Sequence, residues 1–288
     1  MLRSVRANEV PAFDAAVESH AALDTRSRVH AAHVRNLVLD DALFLRAFPR
    51  RGGLERSVVT VVLEGSAVVR AGGTVARVVA GRGFRLGRKE GLSLRIEAAP
   101  TYRSVVYEWP DDEPAPTLRT FDGTGAGDAL YGALRAGAPP DRILAMLADH
   151  AERLAESGVV FAAPQGFEPV PDALQRLSSA LDAQLGALGA QPMAVDLEQA
   201  LGHSARHASR LTRELHERYG LNAAGWVDLR NRRRLMLAVA LLSRPDAPVA
   251  VVAEVVGYRS PQVLARAFAQ AGLPAPRDVA EAVRLAGA

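Results

Sequence analysis

Cysteine is absent from the 288-residue sequence. Disulfide bonds, thiolate metal sites and cysteine nucleophiles are therefore excluded, as is usual in a reducing compartment. Long apolar runs are missing too: the longest strongly apolar helical stretch, residues 235–242, is too short to cross a bilayer. The first 20 residues lack the apolar segment of a signal peptide. We therefore expect a cytoplasmic protein without a membrane partner.

A strong net charge is also missing, but the charge is unevenly distributed. The total is +3, whereas residues 193–288 hold 13 Arg against 9 Asp plus Glu, a net of +4 that leaves the first 192 residues at −1. This excess could attract a polyanion, although a solvated Arg-rich helical surface explains it equally well. With 49% hydrophobic residues, the chain can bury a substantial core, and its length suggests two domains.

Short β-branched runs separated by glycine occupy residues 37–109, which predicts an antiparallel sheet or barrel. A hairpin turn is predicted at residues 71–73, where the sequence reads Ala-Gly-Gly. The acidic segment PDDEPAP, residues 110–116, is predicted to end the sheet as a linker. Residues 1–115 are therefore assigned to a β-rich effector or regulatory domain.

Apolar spacing predicts two further helices, at residues 141–157 and 172–188. The second carries a stripe of leucines at spacings of three and four: Leu174, Leu177, Leu181, Leu185 and Leu188. A leucine stripe packs into a core more often than into an interface, but subunit contact is the alternative here. Residues 116–190 are interpreted as a helical linker that could dimerise.

The last third contains a repeated pattern. GHSARHASRLTRELHERYG at residues 202–220 returns in shorter form as GYRSPQVLARAFAQAG at residues 257–272, with Ser204 aligned to Ser260. A short apolar helix and a glycine turn precede each copy, and each Ser can cap the helix that follows. This order is the helix-turn-helix plan, whose second helix enters the DNA major groove.

Helical spacing predicts two faces on the first repeated helix. Ala208, Leu211 and Leu215 point inward, while Arg206, Ser209, Arg210 and Arg213 share the opposite face. Arg can read guanine or clamp phosphate, and Ser can bond to either kind of atom. The alternative is a solvated face neutralised by Glu214 and Glu217. The second copy offers Gln262, Ala265 and Arg266.

A connector helix is predicted between the two copies, from Trp226 to Ser243. At 1.5 Å per residue it spans about 27 Å, close to the roughly 34 Å between successive major grooves on one face of DNA. Arg230, Arg232 and Arg233 precede its apolar half and, with Arg213, are predicted to contact phosphates.

Residues 193–285 resemble the AraC/XylS family of transcriptional regulators. The resemblance is carried by GHSARHASRL, GYRSPQVLARAF, the connector RLMLAVALLSRPDAPVAVVAEVVGY and the closing GLPAPRDV. It implies seven helices with two recognition helices in successive major grooves, and base-facing roles for the six residues Arg206, Ser209, Arg210, Gln262, Ala265 and Arg266. The glycine and strand rhythm of VLEGSAVVRAGGTVARVVAGRGFRLG resembles the cupin-type domain of such regulators.

The chain departs from the family pattern where Ala208 and Thr212 stand in place of larger apolar side chains. We therefore expect the first unit to be loosely packed. The resemblance implies double-stranded DNA as a partner, together with RNA polymerase, an unidentified small-molecule effector or protein partner, and a homodimer. Phe84, Tyr102, Tyr107 and Trp109 could line the effector pocket, although core packing is the more common fate of strand aromatics.

Enzyme readings are less consistent with the sequence. FDGTGAGDAL, residues 121–130, resembles the anion hole of ribokinase-like sugar kinases, but no alternating α/β domain precedes it, so Asp128 is expected to start an ordinary helix. None of the seven His lies between residues 37 and 109, which argues against a metal in the barrel. No catalytic residue, metal or cofactor is predicted.

These observations predict an α+β chain: an N-terminal β-rich cupin-like domain, a helical linker at residues 116–190, and a C-terminal all-α double helix-turn-helix domain at residues 191–288. The predicted function is sequence-specific, effector-responsive transcriptional regulation. The alternative is a protein-interaction module whose degenerate helix-turn-helix does not bind DNA.

Overall fold

The computed structural model describes the chain in these parts: residues 1–40, 43, 56–71, 73–87, 93–110, 117–161, 163–219 and 225–287. The predicted linker at residues 110–116 lies outside the described residues except for Pro110, and so does the central glycine of the predicted hairpin turn, Gly72. The hairpin itself is confirmed by its two strands, which pair up to Ala71 opposite Thr74.

One antiparallel sheet contains every strand of the described residues, in the order β1-β2-β3-β8-β4-β7-β9, with β5 pairing to both β8 and β6. The strands are β1 Leu2–Val10, β2 Ala15–Leu23, β3 Arg28–Asp40, β4 Arg56–Glu64, β5 Ser66–Ala71, β6 Thr74–Val79, β7 Arg82–Gly87, β8 Ser93–Pro110 and β9 Thr117–Asp122. The long strand β8 organises the sheet, because its first half pairs with β5 and its second half with β4, while β3 pairs along both halves.

Two corrections concern the limits of the sheet. The β-branched runs predict that the sheet ends at residue 109, yet β9 follows the acidic segment in the sequence and pairs with β7. At the other end, β1 and β2 lie in the first 36 residues, which show no clean period in the sequence. The sheet is therefore longer at both ends than the β-branched runs indicate.

Helices cover the sheet and build the C-terminal domain. They are α1 Asp128–Arg135, α2 Pro140–Glu156, α3 Asp172–Gly186, α4 Ala194–Leu201, α5 Ala205–Tyr219, α6 Trp226–Leu242, α7 Val249–Val255, α8 Pro261–Gln270 and α9 Val279–Gly287, with short 3₁₀ turns at Pro11–Phe13, Leu188–Ala190 and Pro276–Asp278. Counting the last 3₁₀ turn, the described part of residues 193–287 contains seven helical elements, as the resemblance implied.

The two faces of the sheet belong to different hydrophobic clusters. One face packs under α1 and α2, where Val59, Val105 and Leu147 are buried. The other face, with Val58 and Tyr102, continues into α3 and the C-terminal helices as one core. Two-sided burial explains why strands such as β4 read as nearly continuous apolar runs rather than as alternating ones.

Helix α3 closes the free edge of β1 with side-chain hydrogen bonds. The Asp182 carboxylate accepts from the backbone N–H of Val5 at 2.7 Å and from the Ser4 hydroxyl at 3.0 Å. Asn8 Nδ2 donates to the carbonyl of Leu185 at 2.7 Å. All five leucines of the predicted α3 stripe are buried in the same core. An edge strand covered in this way is protected from pairing with another chain.

The predicted architecture is confirmed: a β-rich cupin-like domain, intervening helices and an all-α domain with two helix-turn-helix units. The two domains share direct contacts. Arg28 donates to the carbonyl of Tyr219 at the end of α5, and Arg95 donates to the carbonyl of Val283 in α9 at 2.9 Å. Across the ranges that the structure describes, no helix is both long and apolar enough to cross a membrane.

Candidate nucleic-acid interface

The first helix-turn-helix unit consists of α4, a three-residue turn and α5. Gly202 ends α4 in the left-handed region, with φ of 65°, and the N–H of His203 reaches back to the carbonyl of Glu198 at 3.2 Å. Helix α5 then begins at Ala205, and the carbonyl of Ser204 accepts the N–H of Ala208 at 2.9 Å. Glycine suits this turn because it adopts positive φ without a side-chain clash.

The predicted division of α5 into two faces is confirmed. Its inner face buries Ala208, Leu211 and Leu215, each no more than 5% exposed. The opposite face exposes Arg206, Ser209, Arg210 and Arg213. These four side chains, with Ser204 and His207, line an open concavity of about 680 Å³.

The arginines of this face have no carboxylate partner among the described residues. Glu214 and Glu217 are exposed on the same helix, but neither forms an ion pair with Arg206, Arg210 or Arg213 in the part of the chain described. The neutralised face offered as the alternative is therefore not formed. Three unpaired guanidiniums on one side of a helix give a local positive surface of the kind that binds phosphate.

Histidine adds to this surface at the start of α5. The rings of His203 and His207 are 4.3 Å apart between centroids, and Nδ1 of His207 lies 3.1 Å from the Arg210 guanidinium. Desolvation lowers the pKa of His207, and the charges of His203 and Arg210 act in the same direction. A neutral His207 can accept a hydrogen bond from Arg210 and so orient it.

The second unit consists of α7, a turn and α8, and its turn is more tightly built. Gly257 has φ of 80°, and a Cβ at this position would lie 2.2 Å from the carbonyl oxygen of Leu188. The Ser260 hydroxyl accepts from the N–H of Val263 at 3.3 Å and so caps α8, as predicted. Only glycine fits this close approach between the linker and the second unit.

Helix α8 buries Leu264 and Phe268 completely and exposes Gln262, Ala265 and Arg266. The three predicted base-facing residues of the second unit therefore share its outer side. Arg266 forms no ion pair among the described residues. Helix α8 thus presents one exposed arginine without a described ion pair, whereas α5 presents three.

The structure corrects the prediction that the arginines of the connector α6 contact DNA phosphates. Nε of Arg233 donates to Oδ1 of Asn8 at 2.8 Å, which places the guanidinium inside the domain interface. Burial lowers the pKa of Arg233 to about 9, and the nearby Arg6 charge acts in the same direction while Asp182 opposes it. Such a side chain stays charged at neutral pH but does not reach a DNA phosphate.

Arg230 and Arg232 are also used within the protein. Arg230 donates to the carbonyl of Pro192 at 2.8 Å, and Arg232 pairs with Asp228 at 2.9 Å with only 14% of its side chain exposed. The physical reason is that the first half of α6 lies beside residues that supply acceptors, the carbonyl of Pro192 for Arg230 and the carboxylate of Asp228 for Arg232. Of the four predicted phosphate contacts, only Arg213 lies on an exposed face.

The four predicted effector aromatics do not line one cavity. Phe84 and Tyr102 are buried on the inner face of the sheet, whereas Tyr107 and Trp109 belong to the cluster under α1 and α2. Tyr107 and Trp109 stack at 5.4 Å between ring centroids, and Phe161 packs against both. Their placement is core packing, the alternative left open for these residues. The alternation of side chains along a strand predicts this separation, because residues 102 and 107 are an odd number of positions apart and face opposite sides of the sheet.

Sequence reasoning also missed the arginines that join the two domains. Arg28, Arg95 and Arg244 donate to backbone carbonyls of the other domain. Nothing in their local sequence marks them, because the acceptors are more than 150 residues away. In the described parts of the chain, no group of three or more His, Cys, Asp or Glu side chains could hold a metal ion. Asp128 starts α1, as expected.

Comparisons with known proteins give structural matches only. No family model matches the sequence, and no curated protein matches it. ToxT from Vibrio cholerae O395 aligns over 96% of this chain and 96% of its own, with 10% identity and a TM-score of 0.33. The unsaturated fatty acid bound ToxT of strain SCE256 aligns over 88% and 95%, with 11% identity and a TM-score of 0.33.

The β-rich part has a shorter match. The ethanolamine utilization protein EutQ from Salmonella typhimurium LT2 covers 33% of this chain and 71% of its own, with 17% identity and a TM-score of 0.24. At these TM-scores the likeness carries no argument about function, which must be argued from the side chains themselves.

Proposed function

We propose that this chain is a sequence-specific, double-stranded DNA-binding transcriptional regulator. Helices α5 and α8 would act as its recognition helices in successive major grooves. The β-rich domain would receive an effector, and the proposal assigns no catalytic reaction. Homodimerisation and contact with RNA polymerase belong to the proposal as consequences of the family resemblance.

The observation that carries the proposal is the exposed face of α5. Arg206, Arg210 and Arg213 share it, no described carboxylate neutralises them, and the other face of the helix is buried. An α-helix with this arrangement fits the major groove, where Arg can bond to guanine and to phosphates. The second unit repeats the arrangement with Gln262 and Arg266.

Roles follow from position along each helix. N-terminal residues of a recognition helix reach base edges, which suggests base contacts for Arg206, Ser209 and Arg210 in the first unit and for Gln262, Ala265 and Arg266 in the second. Arg213 lies further along α5 and would contact phosphate. Arg230, Arg232 and Arg233 are left out because the protein itself uses their guanidiniums.

The experiment is selection of bound sequences from random double-stranded DNA by the full-length protein. We expect an enriched site whose affinity falls steeply with salt, because phosphate contacts release counterions. Arg210→Ala should cost about 1–3 kcal/mol and relax the preference at one base pair. Arg277→Ala is the matched control, since that side chain is 85% exposed and lies outside both recognition helices.

A selection without enrichment would contradict the proposal. So would an Arg210→Ala variant that kept full affinity and selectivity. The proposal would be supported if Arg277→Ala kept full DNA affinity and selectivity while Arg210→Ala lost them.

The second candidate is a protein-interaction module. It is favoured by the loose packing of the first unit, where Ala208 and Thr212 line a cavity of about 640 Å³ between α4, α5 and α6. Under this candidate the arginine face would bind an acidic protein surface, and no DNA sequence would be enriched. Failure of the full-length protein to bind DNA would favour it over sequence-specific regulation.

A further inference from the structure

The helices α5 and α8 present side chains at equivalent positions. Helix α5 begins one residue after Ser204 and α8 one residue after Ser260, so residues that align in the repeat occupy the same place along their helices. The first buried residue of each helix is its fourth, Ala208 in α5 and Leu264 in α8. The second and sixth residues are exposed in both helices. These positions are therefore direct counterparts on the outer faces of the two units.

The counterparts are identical at the sixth residue and different at the second. Arg210 and Arg266 are the sixth residues, whereas Arg206 of α5 faces Gln262 of α8 in the alignment of second residues. None of the three arginines forms an ion pair among the described residues. The guanidinium of Arg210 is oriented by His207 at 3.1 Å. The donors of these side chains are therefore available to a ligand in front of the helices.

Arginine and glutamine match different base edges in the major groove. A guanidinium donates two hydrogen bonds to O6 and N7 of guanine, whereas a glutamine amide accepts from N6 and donates to N7 of adenine. With the wrong base, a donor faces a donor or an acceptor faces an acceptor, and the unmade hydrogen bond is costly. The difference between Arg206 and Gln262 is therefore a difference in the base that each helix prefers.

Helical rise sets the distance between the two bases that one helix contacts. The second and sixth residues are four positions apart, which is about 6 Å along the helix axis and slightly more than one turn. Both side chains therefore leave the helix on the same side. Since successive base pairs are about 3.4 Å apart, the two bases lie roughly two base-pair steps from each other.

We propose that the protein reads two unequal stretches of bases, called here the α5 subsite and the α8 subsite. The α5 subsite contains two guanines, which bind Arg206 and Arg210. The α8 subsite contains an adenine, which binds Gln262, and a guanine, which binds Arg266. This inference rests on the proposed function and adds the identity of the bases. The two subsites differ because the second residue of the helix differs.

Exchange of the two unequal counterparts tests this assignment on the full-length chain. Random double-stranded DNA is selected by wild type, by Arg206→Gln, by Gln262→Arg and by the double variant. We expect Arg206→Gln to replace guanine by adenine at one position of the α5 subsite, and Gln262→Arg to make the reverse change in the α8 subsite. The double variant should exchange the two preferences. Competition between duplexes that differ at the affected base pair should shift by about 5- to 150-fold.

Arg213→Gln is the matched control, because it makes the same chemical change on the exposed face of α5 but further from the start of the helix. It should weaken binding to all duplexes by a similar factor and leave the selected bases unchanged. Arginine and glutamine are both good helix formers and the changed positions are exposed, so we expect every variant to fold. Thermal unfolding of each variant checks this.

The outcomes separate the two proposals. A wild-type site whose bases stay unchanged in both Arg206→Gln and Gln262→Arg would contradict the base assignment but leave sequence-specific binding intact. The assignment would also be wrong if Arg213→Gln altered the selected bases and Arg206→Gln did not. A wild-type selection without any enriched site would contradict the proposed function and the base assignment together.

Discussion

The two helix-turn-helix units divide packing and charge unequally. The second unit buries Leu264 and Phe268 and closes its turn on Leu188, but it exposes a single free arginine on α8. The first unit has Ala208 and Thr212 at its core and an open cavity, yet it carries three arginines on one face. The more tightly packed unit is therefore not the one with the more positively charged surface. A tightly packed second unit would fix register, and the first would supply most of the attraction.

The largest expected effect is the loss of Phe268. Phe268→Ala should lower the free energy of unfolding by about 3–5 kcal/mol, because a fully buried ring leaves a cavity. Thr212→Ala at the first unit should cost far less, since its neighbourhood already contains a cavity. Urea denaturation of both variants measures the difference. Equal losses would remove the contrast in packing between the two units.

The second-largest expected effect is the loss of stability when a turn glycine is replaced by alanine. Gly257→Ala should destabilise by more than the roughly 1–2 kcal/mol of a left-handed alanine, because its Cβ would also meet the carbonyl oxygen of Leu188 at 2.2 Å. Gly202→Ala should cost only the conformational part, since nothing lies within 4 Å of its Cβ position. Thermal unfolding of the pair checks this ranking. A larger loss for Gly202→Ala would contradict the tighter docking of the second turn.

The smallest expected effect is a pH dependence confined to the first unit. In the protein without DNA, desolvation is the main cause that lowers the pKa of His207 below its ordinary value of 6.5. The ring is therefore neutral at pH 7 and gains its charge only as the pH falls below 6.5. A nearby phosphate would favour the charged ring, so DNA affinity should rise as pH falls through this window. Fluorescence anisotropy with wild type and His207→Gln measures it. Helix α8 has no histidine, so an unchanged pH slope in His207→Gln would place the titration elsewhere.

Helix bounds and faces were predictable because they depend on local signals. The spacing of Ala208, Leu211 and Leu215 and the cap at Ser260 each involve residues within a few turns of one another. The same is true of the leucine stripe of α3. These contacts are short in sequence, so a 3.6-residue period and a capping residue are sufficient to place them.

Features that depend on distant partners were not predictable. Arg233 looks like a surface charge until Asn8, more than 200 residues away, accepts from it. Strand β2 is alanine-rich and has no β-branched run, and it is ordered by its ladders to β1 and β3. Tyr102 and Tyr107 are five residues apart on one strand, so the alternation of side chains alone places them on opposite faces of the sheet.

Strand β3 contains a bulge at which the strict alternation of its side chains is broken. Asn36 has φ of 51°, and the pairing of β3 with β8 shifts between Arg35 and Leu37. The Asn36 side chain donates to the carbonyl of Asp14 at 2.9 Å, which holds this bulge in place. The shift brings Leu37 to the same face as Val34, a result that strict alternation does not give.

Arg28 and Arg95 lie at opposite ends of the β3–β8 ladder, where Arg28 pairs with Glu108 and Arg95 with Asp40. Twelve residue steps at 3.3 Å separate these ends by roughly 40 Å along the strand. Arg28 donates to the last residue of α5, and Arg95 donates to α9, which follows the second unit. The strand pair therefore contacts the C-terminal domain at both of its ends. A change in the bend of β3 at Asn36 would therefore alter the distance between α5 and α9 without any change in the residues of either helix.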